Sequence, residues 1–330
     1  MDQKRIIDEF KELVSIEVHS RDERAIADVL KEKLTALGLT VTEDKAGEVL
    51  GGNTGNLYAQ LPGSTDGEPV LFSAHMDRVG NHGHIVPLVK EEEGKIVSDG
   101  TSILAGDDIG GVAAILAMLR EVKEKQIPHG PIEVAFSVCE ETGVEGSRQY
   151  DFSKFRSKSA FVYDASGKAG TIVLAAPSKG RVTIRVHGVT AHAGNEPEKG
   201  LNALKVAADL IMQLPDGRLS PVSTANFSII EAGSATNVVC DLVTITGEQR
   251  SRDAKEYQQI SADIQAAADR ISEKYHTKIE VELHTLYHAF KLEETARPCV
   301  LAKEAAEAVG AAPFFKEGGG GMDANHFNEH

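Results

Sequence analysis

The sequence predicts an α/β fold: a mixed, mostly parallel sheet flanked by helices, interrupted by an inserted ferredoxin-like α+β domain. First, short apolar strand patterns alternate with helical patterns over the first half of the chain, which is typical of a sheet covered on both faces. Second, from residue 178 to residue 290 the order becomes β-α-β-β-α-β, the ferredoxin-like order. A helix and a strand pattern then resume, so we assign residues 1–177 and 291–330 to one domain and residues 178–290 to the insertion.

The first domain is predicted to begin with two helices. Residues 2–19 place apolar side chains at helical spacing, and the second helix ends at Gly38. Three strand patterns follow, LTVTE, NLYAQL and PVLFSAH, and then the helical pattern IGGVAAILAMLREVKEK. The next strands are PIEVAFSVCE, SAFVYDAS and TIVLAA. Near the end of the chain, EETARPCVLAKEAAEAVG predicts a helix and APFFKE a short strand.

The inserted domain begins with the strand pattern GRVTIRVHG and the helical pattern GLNALKVAADLIMQL. Two strands follow, ANFSIIEAG and NVVCDLVTITGEQRS. A long helix, DAKEYQQISADIQAAADRISEKYH, and a last strand, KIEVELHTLYHAF, complete the order. Such a unit normally folds as two layers, with helices on one face of an antiparallel sheet.

Composition narrows the class of protein. The 330 residues carry a formal net charge of −15, which argues against nucleic-acid or anionic-membrane partners because both favour a basic surface. Three cysteines in apolar surroundings, far apart in sequence, indicate neither a disulfide framework nor a thiolate metal site. The charged N-terminus lacks the apolar core of a signal peptide, and no apolar run reaches membrane-spanning length. We therefore expect a reduced, cytoplasmic protein.

Acidic residues and histidine follow the predicted strands of the first domain. Ligands in open α/β sheets gather beyond the carboxyl ends of strands, so these side chains are expected to converge. Taken singly, each signal is weak, because an aspartate at a strand end is commonly a turn former or a helix cap. Their coincidence at four places favours a metal site. They are His75 and Asp77 in HMD, Asp107 and Asp108 in GDD, Glu140 and Glu141 in CEETG, and Asp164 in VYDAS.

Carboxylates and imidazole without thiolates are typical of a catalytic rather than a structural site for zinc, cobalt or manganese. Two cations are favoured over one because the set is so anionic. Within HMD, Asp77 can orient the imidazole of His75. The adjacent glutamates can have different roles: one can be a metal ligand, and the other can take a proton from the attacking water.

Several motifs in register resemble the co-catalytic zinc exopeptidases, the family of carboxypeptidase G, aminoacylase, succinyl-diaminopimelate desuccinylase and peptidase T. The resemblance covers nearly the whole chain and is strongest to the peptidase T-like branch. The motifs are SAHMDRV, ILAGDDIGGVAAIL, CEETGVEGS, FVYDASG, TAHAGNEPEKGLNAL, ATNVV, GEQRSRDA and GGGGMDANHFNE. The family fold is a catalytic domain with an inserted lid and dimerisation domain, so the resemblance implies a homodimer formed through residues 178–290.

The resemblance also implies roles for the strand-end residues. His75 and Asp164 are similar to ligands of one metal, Asp107 to the bridging carboxylate, and Glu141 to a ligand of the second metal. Glu140 resembles the general base, and Asp77 the residue that supports His75. The cofactor implied is a pair of divalent metal ions, Zn²⁺ in the first place and Co²⁺ or Mn²⁺ as alternatives.

In the inserted domain, the resemblance implies substrate-binding roles. His192 resembles the lid histidine that polarises the scissile carbonyl, and Asn237 and Arg250 match substrate-binding positions. Arg252 stands where this branch often has histidine, so the two arginines compete for the substrate role. The glycine run at 318–321 is expected to let a substrate backbone approach closely. His82 and His84 carry a weaker metal hypothesis.

The family's second metal also takes a histidine from a segment later than the glycine run, and residues up to His330 do not match it. We expect the sequence to be part of a longer enzyme. The alternative is a chain that holds its second metal weakly or not at all.

The resulting prediction is an aminopeptidase that frees the N-terminal residue of short peptides, with tripeptides as the expected class. One alternative is an N-acyl-amino-acid deacylase with the same chemistry. The other is a catalytically impaired form that only binds metal or peptide.

Overall fold

The computed structural model describes residues 2–80 and 83–330, and the chain forms two compact units. The first unit contains residues 1–174, 292–316 and 322–330. The second contains residues 175–291 and 317–321. The glycine run therefore groups with the second unit, although the sequence places it in the first domain.

The helices and strands alternate along the first half of the chain. They are α1 (Gln3–Val14), α2 (Arg24–Ala36), β1 (Thr40–Glu43), α3 (Ala46–Leu50), β2 (Leu57–Leu61), β3 (Val70–His75), β4 (Pro87–Lys90), β5 (Lys95–Ser98), α4 (Gly106–Glu124), β6 (Ile132–Ser137), β7 (Ala160–Val162) and β8 (Thr171–Ala176). The second half continues with β9 (Ser178–His187), α5 (Ala203–Ile211), β10 (Gly217–Ser220), β11 (Ser223–Ala232), β12 (Leu242–Ser251), α6 (Ala254–Tyr275), β13 (Ile279–Tyr287), β14 (Phe290–Lys291), α7 (Arg297–Ala308), β15 (Phe314–Glu317) and α8 (Ala324–Phe327).

The first unit is built on a five-stranded sheet with the order β1-β2-β6-β3-β7. Strand β3 lies in the middle of the parallel part, paired with β6 on one side and β7 on the other. The β1-β2 and β2-β6 pairs are antiparallel. The mixed sheet flanked by helices is confirmed, with two parallel and two antiparallel pairings in this sheet. The carboxyl ends of β6, β3 and β7 consequently lie side by side.

The two faces of this sheet are covered differently. On one face, α1, α2 and α4 supply apolar residues such as Leu13, Leu30 and Leu116 to the main core. On the other face, an aromatic cluster of Tyr150, Phe152, Phe155 and Phe327 packs near Leu71 and Ala135. Alternation along β3 explains the division, because Leu71 contacts the aromatic face while Ala74 belongs to the helical core.

The second unit has the ferredoxin-like arrangement. Its sheet has the order β10-β11-β12-β9-β13, and all its pairings are antiparallel. Alternate residues of β9 (Val182, Ile184 and Val186) pack with apolar residues of α5 and α6. The expected ferredoxin-like order is confirmed, with β10 as an additional edge strand that the sequence pattern did not predict.

Three short strands form a further small sheet in the order β14-β8-β15, and β4 pairs with β5 as a hairpin. The turn of this hairpin, at residues 91–94, is exposed. Over residues 2–80 and 83–330, no helix is long and apolar enough to cross a membrane. All three cysteines are buried and free.

A carboxylate clamp joins the first turn of α2 to the end of β1. Glu43 accepts hydrogen bonds from both terminal nitrogens of Arg24, from Lys31 at 3.0 Å and from the amide of Gly55 at 3.1 Å. Burial alone would raise the pKa of Glu43, but Arg24 and the other donors outweigh burial and lower that pKa to about 2.

Replacing Glu43 by glutamine should therefore reduce the free energy of unfolding by about 1–3 kcal/mol at pH 7. Because the pKa of Glu43 is depressed in the folded protein, the stabilisation is complete above the usual value of 4.5 and is lost as pH falls towards 2. Urea unfolding at several pH values measures the difference. Glu48→Gln, at an exposed residue of α3, is the control; a loss for Glu43→Gln that did not shrink in acid would contradict the clamp.

Candidate metal and catalytic site

The predicted strand-end residues meet at one edge of the first unit. His75 is the last residue of β3, Glu140 and Glu141 follow β6, and Asp164 follows β7. Asp107 lies at the start of α4, which packs on β3. The convergence follows from the sheet order, because β6, β3 and β7 are adjacent and parallel.

His75 lies at the centre of the site and is 1% exposed. Its Nδ1–H donates to the backbone carbonyl oxygen of Asp77 at 3.0 Å. Nε2 then lies 3.0 Å from Oδ1 of Asp107 and 4.0 Å from Oδ1 of Asp164. One ring nitrogen is thus fixed by the chain, while the other faces carboxylates, as expected of a metal-ligating imidazole.

Asp77 is fully buried and contacts several parts of the site at once. One carboxylate oxygen lies 3.4 Å from Nδ1 of His75 and accepts the amide of Glu140 at 3.0 Å. The other accepts the Ser20 hydroxyl at 2.6 Å and the amide of Glu141 at 3.2 Å. The predicted support of His75 therefore extends to the backbone of both glutamates.

Asp107 and Asp108 have different surroundings. Asp108 is buried and accepts the amide of Gly111 at 3.2 Å and that of His75 at 3.2 Å, so it ties the beginning of α4 to β3. The side chain of Asp107 is 68% exposed and points one oxygen at His75.

Among the residues that the structure describes, two groups of side chains are close enough to hold a metal ion. In one, His75, Asp107 and Glu141 offer ligand atoms that all lie within 4.8 Å of one another. In the other, His75, Glu140 and Asp164 do the same. All four residues predicted as ligands occur in these groups, and Glu140 lies among them.

The electrostatics of the site favour an added cation. Burial raises the pKa of Glu140 to about 10 and that of Asp164 to about 8. Burial also raises the pKa of Glu141, whereas the hydrogen bond from His75 lowers the pKa of Asp107. For His75, burial works to lower the pKa, but hydrogen bonds to Asp107 and Asp77 raise it well above its usual value. Carboxylates and imidazole fit divalent cations of the zinc, cobalt and manganese class, and such cations would offset the crowded negative charge.

The predicted lid residues belong to the second unit. His192 is exposed, and its Nδ1 accepts the amides of Gly194 and Asn195, each at 3.2 Å. These two bonds place the ring proton on Nε2 in the neutral form. Asn237 is also exposed, and its carbonyl oxygen accepts the amide of Ala193, so the two predicted substrate residues are near neighbours.

The two arginines both contact the glycine run within this unit. Arg250 donates through Nε to Glu248 at 2.7 Å and through a terminal nitrogen to the carbonyl oxygen of Gly319 at 3.4 Å. Arg252 donates to the carbonyl oxygen of Gly318 at 3.1 Å and lies 3.2 Å from Glu317.

The glycines of the run differ in their surroundings. A side chain at positions 319 or 320 would meet open space. At Gly321 it would overlap the ring of Tyr287. Close packing against Tyr287 inside the second unit therefore explains why residue 321 is a glycine.

Some site residues lie outside the predicted set. Ser20, which donates to Asp77, comes from the loop after α1 and carries no motif that would identify it. Asp323 is buried near Glu140, and its carboxylate accepts the Ser137 hydroxyl at the end of β6. It lies in the quoted motif GGGGMDANHFNE, which could have identified it. Of the weaker metal hypotheses, His82 lies outside the described residues and His84 is exposed.

Comparison with known proteins also indicates a peptidase. Residues 177–276 match the peptidase dimerisation domain of the M20 group, and residues 56–195 match peptidase family M28. The chain is 36% identical to the uncharacterized protein YqjE of Bacillus subtilis over 100% of this chain and 88% of that protein.

Two solved structures extend the comparison. Aminopeptidase PepT from Bacillus cereus is 39% identical, with a TM-score of 0.88, over 100% of this chain and 88% of that chain. A tripeptidase from Staphylococcus aureus is 32% identical, with a TM-score of 0.92 and the same coverage.

The fold, the carboxylate-rich site and these relatives define a metallo-exopeptidase. The chain belongs to the M20 metallopeptidase family, in its peptidase T branch. The resemblance seen in the motifs is thereby confirmed.

Metal binding at this site should stabilise the fold. Adding Zn²⁺ or Mn²⁺ to metal-free protein should raise the thermal midpoint by several degrees, because a ligand bound only by the folded state stabilises it. Asp164→Asn should reduce this shift by at least half. Asp263→Asn, at an exposed residue of α6, is the matched control. An unchanged shift in Asp164→Asn would place the metal elsewhere.

Proposed function

We propose that this protein is a dinuclear-metal aminopeptidase that removes the N-terminal residue from short peptides, with tripeptides as the preferred class. The observation that carries the proposal is the pair of ligand groups sharing His75, in a chain 39% identical over its whole length to an aminopeptidase. The tripeptidase from Staphylococcus aureus and relatives called peptidase T support the peptide length.

In this proposal His75 and Asp164 would hold one cation, Glu141 would hold the second, and Asp107 would be the carboxylate shared by both. Zn²⁺ is the proposed metal, with Co²⁺ or Mn²⁺ as alternatives. The bridging role agrees with the exposed position of Asp107, whose oxygen lies 3.0 Å from Nε2 of His75. Asp77 keeps the imidazole in the tautomer that leaves Nε2 to the cation.

Glu140 is the proposed general base. Cations bound by its neighbours would polarise the scissile carbonyl, make water more acidic and favour the charged form of this carboxylate. Glu140 is 8% exposed, so it is largely shielded from bulk solvent. It would take one proton from the attacking water and deliver it to the leaving amine.

The second unit is proposed to supply substrate contacts. His192, with its proton on Nε2, would donate a hydrogen bond to the carbonyl oxygen as negative charge develops there. Asn237 would bind the peptide backbone nearby. Arg250 would pair with the substrate carboxylate, in competition with its present partner Glu248.

We propose that residues 1–177 and 291–330 form the catalytic domain and that residues 178–290 form an inserted lid and dimerisation domain. Within the described part of the chain, strand β10 pairs with the beginning of β11, at residues 223–225, and with no other strand. Farther along β11, Ile229 and Ile230 are 55% and 51% exposed. An apolar sheet edge of this kind is suited to pairing with the same strand of a second copy. Cytoplasmic location stays a prediction of the sequence.

Peptide hydrolysis tests the function directly. Purified, metal-loaded protein should release the N-terminal residue from a free tripeptide and leave its N-acetylated counterpart intact. Cleavage of the acetylated compound alone would indicate the deacylase alternative. No hydrolysis of either compound by a protein that binds two equivalents of metal would reject both.

Two substitutions should separate the base from the ligands. Glu140→Ala should keep nearly all the bound metal and lose at least about 10³-fold in kcat, because only proton transfer is removed. Asp107→Ala should lose metal as well as activity. Metal analysis and tripeptide kinetics on the same samples measure both effects, and substantial activity in Glu140→Ala would refute the assigned base.

The proposed dimer should depend on the exposed edge of β11. Ile230→Lys places a charge on that edge and should convert the dimer to a monomer in light scattering coupled to size-exclusion chromatography. Ile127→Lys, at an exposed residue of the first unit, is the control and should remain dimeric. A parent protein that is monomeric, or an Ile230→Lys variant that stays dimeric, would contradict this interface.

A further inference from the structure

The loop that carries Glu140 and Glu141 is held by buried side chains rather than by a neighbouring strand. Four consecutive backbone amides, those of residues 138–141, donate to side-chain oxygens. Val138 donates to Asn56 at 3.0 Å and Cys139 to Oε1 of Glu23 at 3.0 Å. The next two amides donate to Asp77, as described above.

Cys139 has a backbone conformation that needs support. Its φ is 51°, in the left-handed region that residues other than glycine seldom adopt. It immediately precedes the glutamate pair, so its conformation sets the direction in which the chain leaves β6. Both its amide and its thiol, the latter at 3.6 Å, contact the same oxygen of Glu23.

Glu23 supports a second left-handed residue as well. Oε1 also accepts the amide of Arg21 at 2.9 Å, and the φ of Arg21 is 76°. Glu23 is completely buried and occupies the capping position of α2, yet its side chain makes no capping bond to that helix. A single buried oxygen therefore joins the turn before α2 to the turn after β6.

We infer that Glu23 is a positioning residue for the reaction: by accepting the Cys139 amide it fixes the left-handed turn that directs Glu140 and Glu141 into the site. This inference rests on the proposed roles of the two glutamates. Oε1 accepts a hydrogen bond whether the carboxyl group is ionised or neutral, so the function belongs to the acceptor oxygen and not to the charge.

The chain offers a matched control. Glu133, on β6, is also buried and also accepts backbone amides, those of Arg156 and Ser157 at 2.9–3.1 Å. Glu133→Leu removes a buried acceptor from the same unit without touching the glutamate loop. It therefore measures how much the loss of a buried acceptor lowers the free energy of unfolding when the glutamate loop is left unchanged.

Glu23→Leu should lower kcat for a tripeptide by about 10- to 100-fold, with KM changed less, as found when groups that orient metal ligands are removed. Glu23→Gln keeps an acceptor oxygen and should recover most of the activity. Glu133→Leu should retain the kcat of the parent. An unchanged kcat in Glu23→Leu, or equal losses in the two leucine variants, would overturn the inference.

A rescue experiment separates positioning from general destabilisation. Glycine adopts the left-handed conformation readily, so Cys139→Gly added to Glu23→Leu should restore part of the lost kcat. If Glu23→Leu alone fails to fold, the double variant should regain folding. Failure of the double variant to improve on Glu23→Leu in either respect would refute the role assigned to Cys139.

Amide hydrogen exchange gives a measure that does not need peptidase activity. Exchange at residues 139–141 should be faster in Glu23→Leu than in the parent and unchanged in Glu133→Leu. If the parent neither binds metal nor cleaves peptides, the proposed function fails while exchange still reports on the turn. Unchanged exchange would overturn the inference, as would faster exchange with an unaltered kcat in an active enzyme.

Discussion

The buried carboxylate of Asp77 is the interaction on which the rest of the site depends. It contacts the imidazole of His75 and accepts the amides of Glu140 and Glu141, so it joins the ends of two adjacent parallel strands. Burial works to raise the pKa of Asp77, but the hydrogen bond from His75 and its other donors keep that pKa below its usual value. A carboxylate that accepts this many hydrogen bonds is held in one position, and it fixes the positions of the ligand residues that contact it.

The fold could be predicted largely because its signals are local. Alternating strand and helix patterns identified the α/β unit, and the order of elements identified the ferredoxin-like insertion. Strand β10 was missed since four residues, GRLS, carry no clear apolar alternation. The short helix α3 was missed for a similar reason, because its five residues include a glycine and bury only its first turn.

The site was partly predictable because its main residues follow strands whose ends meet. The sequence placed His75, Asp107, Glu141 and Asp164 at the ends of predicted elements that were expected to converge, and the structure brings them into two groups that share His75. Residues that support them, such as Ser20, come from loops whose position depends on tertiary packing. Their neighbours in sequence give no indication of a site 57 residues away.

The side-chain anchoring of the loop after β6 has a consequence for how this sequence can change in length. Each amide from residue 138 to residue 141 has its own acceptor, so inserting or deleting one residue there would move every amide away from its partner. The β4-β5 hairpin has an exposed turn whose side-chain ion pairs, from Lys90 and Lys95 to Glu93, are local and lie at the surface, so a length change there would disturb no buried partner. Variation in chain length should therefore accumulate at the hairpin, and the glutamate loop should keep its length wherever the enzyme keeps its chemistry.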